Sequence, residues 1–274
     1  MSIFSENLSR LRRRNGLTQD ELARQLNISF QAVSKWETGQ SMPDLEQLKR
    51  IADILHISTD SLLGHEPSLR SAGEYEERYH RQPYYWGLVP SEMGCDVLRL
   101  RPPVRPLRVL DIGCGEGKDA VFFARNGYEV SAFDIAQNGI DKGRRLADAC
   151  GVDVHFFRAD IRDYRPDTDF DIIFSSGVLH YLPQPLRAET FAAYQAHTAP
   201  GGVHALNAFA AKPWIPDAPD EMLEAFLWQS GELAMLYAPW RIHRFEERIF
   251  DCQSDGIPHQ HCMDILIAEK PEIL

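Results

Sequence analysis

Apolar residues recur at helical spacing in three short segments at the start of the chain, residues 3–14, 18–26 and 29–38. Asn15-Gly16 would end the first in a left-handed cap, a conformation that strains Gly and Asn least. Thr18 and Glu21 form a T-x-x-E capping box for the second, and Ser29 caps the third after a turn at Asn27-Ile28. Leu8, Leu11, Leu17, Leu22, Leu26, Val33 and Trp36 fall where they can share one core. Leu45, Leu48, Ile51, Ala52, Leu55 and Leu62 extend it across two further helices. The expectation is an all-α domain of five small helices over residues 1–66.

The helical period then fades from His65 to about Pro106. Residues 67–106 read as a linker and an aromatic N-terminal flap of a second domain, with the boundary near residues 67–73. Tyr75, Tyr79, Tyr84, Tyr85 and Trp86 are too dense for an idle connection. They either close over a ligand cleft or pack a helix onto the second domain. After Arg105-Pro106 the run LRVLDIGCGEGKDAVFFARNGYEVSAFDIA gives a buried strand, a glycine-rich turn, a helix and a second strand ending in an acid. That is the opening of a doubly wound sheet, and FDCQSDGIPHQHCMDILIAEK reads as an antiparallel hairpin near the C-terminus. An α/β Rossmann-like domain, mostly parallel, is expected over residues 107–274.

Charge narrows the partners. The net charge of −11 weighs against a protein that coats nucleic acid. Residues 1–64, however, hold 8 Lys+Arg and 8 Asp+Glu, so the whole acidic excess belongs to the remainder. Any DNA contact must come from the first domain. No apolar run nears the roughly 20 residues of a membrane span, and the N-terminus lacks the basic-then-apolar order of a signal peptide, so no membrane contact is expected. Cys95, Cys114, Cys150, Cys252 and Cys262 are odd in number and scattered without a CxxC pair, which fits a reducing cytoplasm.

The segment LTQDELARQLNISFQAVSKWETGQSMPDLEQLKRIADIL closely resembles the lambda-repressor/Cro-like helix-turn-helix family. The resemblance implies that residues 29–38 form a recognition helix for the major groove. It sets Phe30, Gln31 and Lys35 against bases, and Gln19, Ser29 and Ser34 against phosphates or flanking edges. The chemistry agrees, since Gln pairs bidentately with adenine, Lys donates to guanine and an aromatic ring can touch a thymine methyl. Arg10, Arg12, Arg13 and Arg14 read either as phosphate seats or as a solvated face. So few cations bind DNA weakly alone, which makes a homodimer on a two-fold double-stranded operator the expectation.

In the second domain Gly113, Gly115 and Gly117 sit where a strand must turn sharply into a helix and let backbone amides approach a ligand. Asp134 ends the next strand, placed for ribose hydroxyls. Asp111 before the turn separates this loop from a phosphate cradle, because a carboxylate there is useful only toward a cationic ligand. DIGCGEG closely resembles motif I of class I S-adenosylmethionine-dependent methyltransferases, and later motifs follow in order. Phe157-Arg158-Ala159-Asp160 looks like the segment whose Asp holds the adenine amino group. FDIIFSSGVLHYL looks like the fourth strand and its active-site loop, and Pro200-Gly201-Gly202 like the turn before the fifth strand. The resemblance implies S-adenosyl-L-methionine as cofactor, held by Asp111, Gly113, Cys114, Gly115, Gly117, Asp134, Ile135, Asp160, Ile161 and Ser176. Ser230-Gly231-Glu232-Leu233, Tyr237, Trp240 and the hairpin make the domain similar to the tellurite-resistance and thiopurine-type small-molecule methyltransferases, which implies a small-molecule methyl acceptor.

Methyl transfer from a sulfonium is an in-line displacement, so the protein chiefly positions the nucleophile. Thiolates, selenium and tellurium oxyanions and amines of low pKa attack unaided, whereas alcohols need a base. Ser176, His180 and Tyr181 are the catalytic candidates, His180 as a base or as an orienting group. Tyr85, Trp86, Trp214 and Trp228 are the candidates for the acceptor pocket, the last two from a proline-broken insertion after the fifth strand. Cys252, His259 and His261 invite a metal reading, but His259 and His261 alternate on one strand face and suit a substrate wall or a pH-sensitive surface equally, so no metal site is assigned. Two functions compete: an enzyme that carries its own transcriptional regulator, or a regulator whose second domain senses a ligand with little turnover. DNA base methylation fits poorly, because no NPPY-like tetrapeptide or Pro-Cys nucleophile follows the fourth strand.

Overall fold

A computed structural model describes residues 3–15, 17–55, 57, 59–63, 68–216, 226–252 and 258–272. The expected cap at Gly16, the boundary at Pro67, residues 217–225 of the insertion and the hairpin tip at 253–257 lie outside the described residues. The chain forms two compact units, Met1–Ser71 and Ala72–Leu274.

Among the described residues the first unit forms helices α1 (Ile3–Arg14), α2 (Gln19–Leu26), α3 (Phe30–Glu37), α4 (Leu45–Leu55) and α5 (Thr59–Leu63). Local chemistry sets the α2–turn–α3 register. Thr18 and Glu21 cap each other reciprocally, Asn27 takes the left-handed conformation at φ 56° to end α2, and the Ser29 hydroxyl accepts from the Ala32 amide at 3.3 Å. Leu8, Leu22, Leu26, Val33, Ile51 and Leu62 are fully buried together. Leu45, expected in this core, is 70% exposed. It opens α4, whose buried positions start a turn or more later at Ile51, Ala52 and Leu55.

Arg12 belongs to the interior. Its guanidinium meets Glu37 at 2.6 Å and 3.1 Å and the Leu17 carbonyl at 2.5 Å, tying α1 to α3 and to the loop before α2. This corrects the reading of Arg12 as a phosphate seat or solvated cation, because a buried pair with both groups hydrogen-bonded is already satisfied.

The second unit opens with α6, which begins at Ser68 in the last residues of the first and runs to His80, and with α7 (Glu92–Leu100). Both fall in the stretch that read as a linker. Helix α6 shows little period because its apolar face is mainly Tyr75 and Tyr79 among charged neighbours, whereas α7 has a Ser91 cap and buries Met93 and Val97. Strands β1 (Arg108–Ile112), β2 (Glu129–Asp134), β3 (His155–Arg158), β4 (Phe170–Ser175), β5 (Thr198–Ala210), β6 (Arg241–Cys252) and β7 (His259–Glu269) form one sheet in the order β3-β2-β1-β4-β5-β7-β6. The first five pair in parallel; β7 inserts antiparallel between β5 and β6. Helices α8 (Lys118–Arg125), α9 (Gln137–Cys150), α10 (Gln184–Ala196) and the short α11 (Glu232–Met235) complete the unit. The central strands are buried on both faces: Val109, Phe123 and Phe174 lie in one core, Leu110, Ile112 and Leu206 in the other. The carboxyl ends of β1, β2, β4 and β5 therefore share one edge, where a sheet of this kind binds its ligand.

Candidate functional site

After β1 the chain turns through Gly113 at φ +68° and Gly117 at φ +84°. A Cβ on Gly113 would stand 2.2 Å from a Val178 methyl, and one on Gly117 would stand 2.8 Å from the Gly143 Cα, so both positions demand glycine for space as well as for conformation. The turn is pinned by amides: Cys114 donates to the Phe133 carbonyl at 2.9 Å and Gly115 to the Asp134 carboxylate at 2.8 Å. The other Asp134 oxygen accepts from the Ala136 amide at 2.9 Å. Burial pushes the Asp134 pKa up to about 6 despite these amide donors. Asp111 is buried too, and its Oδ2 meets no hydrogen-bond partner among the described residues. Desolvation first, then the Asp119 charge, hold its pKa well above the usual carboxylate range. Burial, with the Asp111 charge behind it, likewise raises the Cys114 thiol, so Cys114 contributes its backbone to the loop and no nucleophile.

The aromatic segment roofs this loop. Glu76 on α6 accepts from the Gln137 and Asn138 amides at 2.5 Å and 2.8 Å and so caps α9, whose own N-cap residue, Ala136, supplies no side chain to do it. Tyr79 is buried, accepts from the Trp86 indole N–H at 3.0 Å, and places its hydroxyl 3.1 Å from where a Gly115 Cβ would be. The Tyr75 and Tyr181 hydroxyls lie 2.8 Å apart. A buried ion pair, Lys142 to Glu116 at 2.6 Å, fastens the rest: Glu116 accepts from the Trp86 amide, and Lys142 donates to the Arg81 and Pro83 carbonyls. Tyr79 was among the aromatic residues expected to cover a cleft or pack a helix, whereas Glu76, Glu116 and Lys142 were missed by sequence reasoning. Only Glu76 had a sequence signal, its place three residues before Tyr79 on one helix face.

The remaining candidates divide. Ile161 is buried beside Asp160, whose carboxylate is gripped by the Arg162 guanidinium at 2.5 Å. Ser176 accepts from the Asn207 side-chain amide at 3.2 Å, while Asn207 also accepts from the Gly177 amide at 2.6 Å, which makes Asn207 the unforeseen organiser of the β4 loop. His180 sits in the 3-10 turn Leu179–Tyr181, buried, its ring 4.6 Å from Phe209 and its Nδ1 without a hydrogen-bond partner among the described residues. Burial, followed by the neighbouring His261, lowers its pKa to about 3. That corrects the general-base reading, because such an imidazole is a feeble proton acceptor at neutral pH; an orienting role stands. Trp228 is also corrected. It is fully buried, donates to the Leu179 carbonyl at 3.0 Å and carries Arg187 over its ring, so it backs the active-site turn from the core. Trp86 and Tyr85 are half-exposed with rings 4.7 Å apart, and Trp214 is 69% exposed.

On α3, Phe30, Gln31 and Lys35 are exposed, Phe30 at 44% despite its size, and Ser34 is half-buried. Gln19 donates to Glu37 at 2.6 Å and joins Arg10, Arg13 and Thr38 around a concavity of about 590 Å³. Arg10 and Arg13 thus keep their cationic surface beside α2 while Arg12 turns inward. Where β6 stops and β7 starts, Cys252, His259 and His261 offer ligand atoms that all lie within 4.8 Å of one another.

The seven-stranded order, the glycine turn after β1 and the acid closing β2 define a class I S-adenosylmethionine-dependent methyltransferase domain, which this chain carries behind a helix-turn-helix domain. Comparison with known proteins agrees: a methyltransferase domain family matches residues 109–202 and a helix-turn-helix family matches residues 8–62. "Hemagglutinin 1" of Eikenella corrodens is 30% identical over 61% of this chain and 56% of its own length. The "HTH-type transcriptional activator BcrR" of Enterococcus faecalis is 40% identical over 30% of this chain and 40% of its own. The "Probable S-adenosyl-L-methionine-dependent methyltransferase TehB" of Haemophilus influenzae (strain 10810) is 25% identical over 56% of this chain and 53% of its own. A crystal structure of TehB from that species superposes on the fold at a TM-score of 0.60, with 19% identity, 73% of this chain and 66% of TehB covered. The chain therefore spans about half the length, or less, of these curated relatives.

The residues of the cleft fit the cofactor. Its amino and sulfonium groups are cationic, and the buried Asp111 carboxylate with an unpartnered oxygen is the complement such a ligand supplies. Asp134 retains lone pairs for hydroxyl donors beyond its two amide partners.

Proposed function

We propose that the chain is a methyltransferase that transfers the methyl group of S-adenosylmethionine to a small-molecule acceptor, and that its helix-turn-helix domain binds a DNA operator and regulates transcription. The observation that carries the enzymatic half is the intact cradle: a glycine turn held open by Asp134, with one Asp111 carboxylate oxygen left without a hydrogen-bond partner among the described residues. When bound, the cofactor supplies an activated methyl carbon. The chain's residues bind and orient: Asp134 and the loop amides hold the ribose end, Asp111 faces the cation, and the roof of Tyr75, Tyr79 and Trp86 keeps water out. His180 stays neutral and orients, and no other candidate in the β4 loop is a strong base. The acceptor therefore has to bring its own nucleophile, a thiolate, a metalloid oxyanion or an amine of low pKa rather than an alcohol. The resemblance of the C-terminal hairpin to the tellurite-resistance and thiopurine-type methyltransferases leans the same way, and the printed name of TehB supports the methyltransferase reading itself.

The DNA half rests on Phe30, Gln31 and Lys35 standing unburied on α3, with Ser29 and Gln19 at the helix starts and Arg10 and Arg13 nearby for phosphates. A first domain without net charge needs a second copy for affinity, which favours a homodimer on a two-fold site.

Purified protein given labelled S-adenosylmethionine and a panel of thiols, selenite, tellurite and aromatic amines should release S-adenosylhomocysteine. Cofactor binding without release for any acceptor would favour the sensor reading instead. Replacing Gln31 and Lys35 by Ala should each weaken binding to the gene's upstream DNA by about 1–3 kcal/mol at a base-contacting position. Unchanged retention of that DNA by the double variant would end the operator assignment.

A further inference from the structure

The C-terminal hairpin brings together three side chains that the methyl-transfer chemistry leaves unused. In the β6–β7 register Cys252 lies opposite His259 and Phe250 opposite His261, so all four stand on one face at the loop end of the hairpin, where β6 stops and β7 starts. The His259 and His261 Nε2 atoms are 2.9 Å apart, and the Cys252 thiol lies within 4.8 Å of both imidazoles' ligand atoms. Three half-buried donors, one sulfur and two nitrogens, converge there.

Their place in the fold matters as much as their spacing. Strand β7 runs antiparallel to β5, with Met263 opposite Phe209 and Cys262 opposite Ala210. The first residues of β7 therefore stand at the carboxyl end of β5, on the ligand edge of the sheet. The Phe209 ring lies 4.9 Å from His261 and 4.6 Å from His180, so one aromatic ring separates the cluster from the active-site turn.

We propose that Cys252, His259 and His261 bind a divalent zinc-type cation, with three protein donors and a fourth position open to water or a small ligand. A tetrahedral zinc needs S···N separations of about 3.6 Å and N···N separations of about 3.3 Å, which follow from its usual bond lengths of about 2.3 Å to sulfur and 2.05 Å to nitrogen. The imidazoles have to part by a few tenths of an ångström, and Cys252 has to move in by no more than a side-chain adjustment. A thiolate beside two imidazoles is a borderline-soft donor set that selects zinc or cobalt over magnesium or calcium. This site is independent of methyl transfer and is read without cofactor or acceptor.

The test uses the full chain, free of any histidine tag and stripped of metal, with cobalt(II) alone as the probe. One equivalent should give the intense visible bands of four-coordinate cobalt together with a near-ultraviolet thiolate-to-cobalt band, and one equivalent of zinc should erase both. Cys252→Ser should lose the thiolate band, and His261→Ala should weaken cobalt binding at least about tenfold, both with an unchanged far-ultraviolet spectrum. Cys150→Ser, which alters an exposed thiol at the end of α9, should keep the full spectrum. Absence of the bands in the unmodified chain, or a thiolate band that survives Cys252→Ser, overturns the proposal. Because S-adenosylhomocysteine release is measured separately, failure of the metal site and failure of the methyltransferase reading are distinct results.

Discussion

Helix α3 of the first domain and the glycine turn of the second carry their chemistry in opposite ways. On α3 the residues that matter stand outward: Phe30, Gln31 and Lys35 are exposed, and the helix beneath them is set by neighbours within four residues, the Ser29 cap and the Asn27 turn. In the glycine turn Asp111, Asp134 and Glu116 are buried, and the ligand is offered backbone amides whose positions depend on partners such as Asp134, 19 residues from Gly115. A recognition helix is thus a local object with exposed chemistry, and the cofactor turn is a non-local object with buried chemistry. The first tolerates substitution of its working residues without loss of fold; the second does not.

The sharpest way to break that comparison is to attack the first domain where it, too, depends on a distant partner. Arg12→Met leaves the Glu37 carboxylate buried without its guanidinium. Removing one member of such a pair costs about 3–5 kcal/mol, comparable to the whole stability of a domain this small. Thermal melts should show loss of the first domain's transition and DNA retention should vanish, while S-adenosylmethionine binding measured by calorimetry stays at the level of the unmodified chain. Simultaneous Glu37→Met should restore most of the stability, since an apolar pair of similar volume often replaces a buried ion pair at little cost.

Next in size is Gly113→Ala. The left-handed backbone costs an L-residue about 1–2 kcal/mol, and the added methyl collides with Val178 as well. Cofactor affinity should fall at least about tenfold, equivalent to about 1.4 kcal/mol, with DNA retention unchanged. A variant that binds cofactor normally would show that the turn's conformation is not what the ligand reads.

The same contrast explains what was legible in the sequence. Both folds were, because capping boxes, the glycine turn and the buried strands are written in consecutive residues; so were the outward-facing positions of α3. The loop glycines and Asp134 were legible for the same reason. Arg12 was misread because four arginines within five residues look like a surface stripe, and nothing nearby in the chain announces Glu37, 25 residues away. The roof was half legible: its aromatic density gave it away, but Glu76 reaching the start of α9, 61 residues on, has no local signature. Trp228 carried the right residue type for a pocket and is instead buried against Leu179 and Phe191, and His180, a candidate base or orienting group, is buried against Phe209 and keeps only the orienting role, distinctions set by tertiary packing alone.

A third test uses pH to separate ligand binding from stability at one residue. Asp134 has a pKa of about 6 in the fold against an ordinary value of 3.8. If its charged form accepts the ribose hydroxyls, cofactor affinity should decline below pH 6 and approach a tenfold loss per unit beyond it. Asp134→Asn should bind weakly and flatten that limb. Stability takes the opposite sign through this group, because a fold that raises a carboxyl's pKa gains stability from its protonated form as pH falls from 6 through 3.8. His180 and His204 act against it: each is buried with a pKa of about 3, against an ordinary 6.5. Their contribution is complete above 6.5 and is lost as pH falls toward 3. Through these two histidines stability should fall on acidification, and His204→Gln should lessen that slope. A cofactor affinity that is constant from pH 7.5 to 5 would mean that Asp134 serves the turn and not the ligand.

The smallest expected effect is the most discriminating for the roof. Glu76→Gln keeps an oxygen for the Gln137 or Asn138 amide and removes only the negative charge at the start of α9. A carboxylate near a helix N-terminus is worth about 0.3–1 kcal/mol, so the melting temperature should drop by only a few degrees. If α6 merely packs against the domain, cofactor affinity follows that small change and nothing more. If α6 holds Tyr79 and Trp86 over Gly115 as part of the ligand's enclosure, loosening its anchor should speed cofactor dissociation several-fold while the association rate and the DNA retention of the first domain stay where they were. Stopped-flow dissociation of S-adenosylhomocysteine from Glu76→Gln and from the unmodified chain decides between the two, because a purely structural cap moves the melt without moving the dissociation rate.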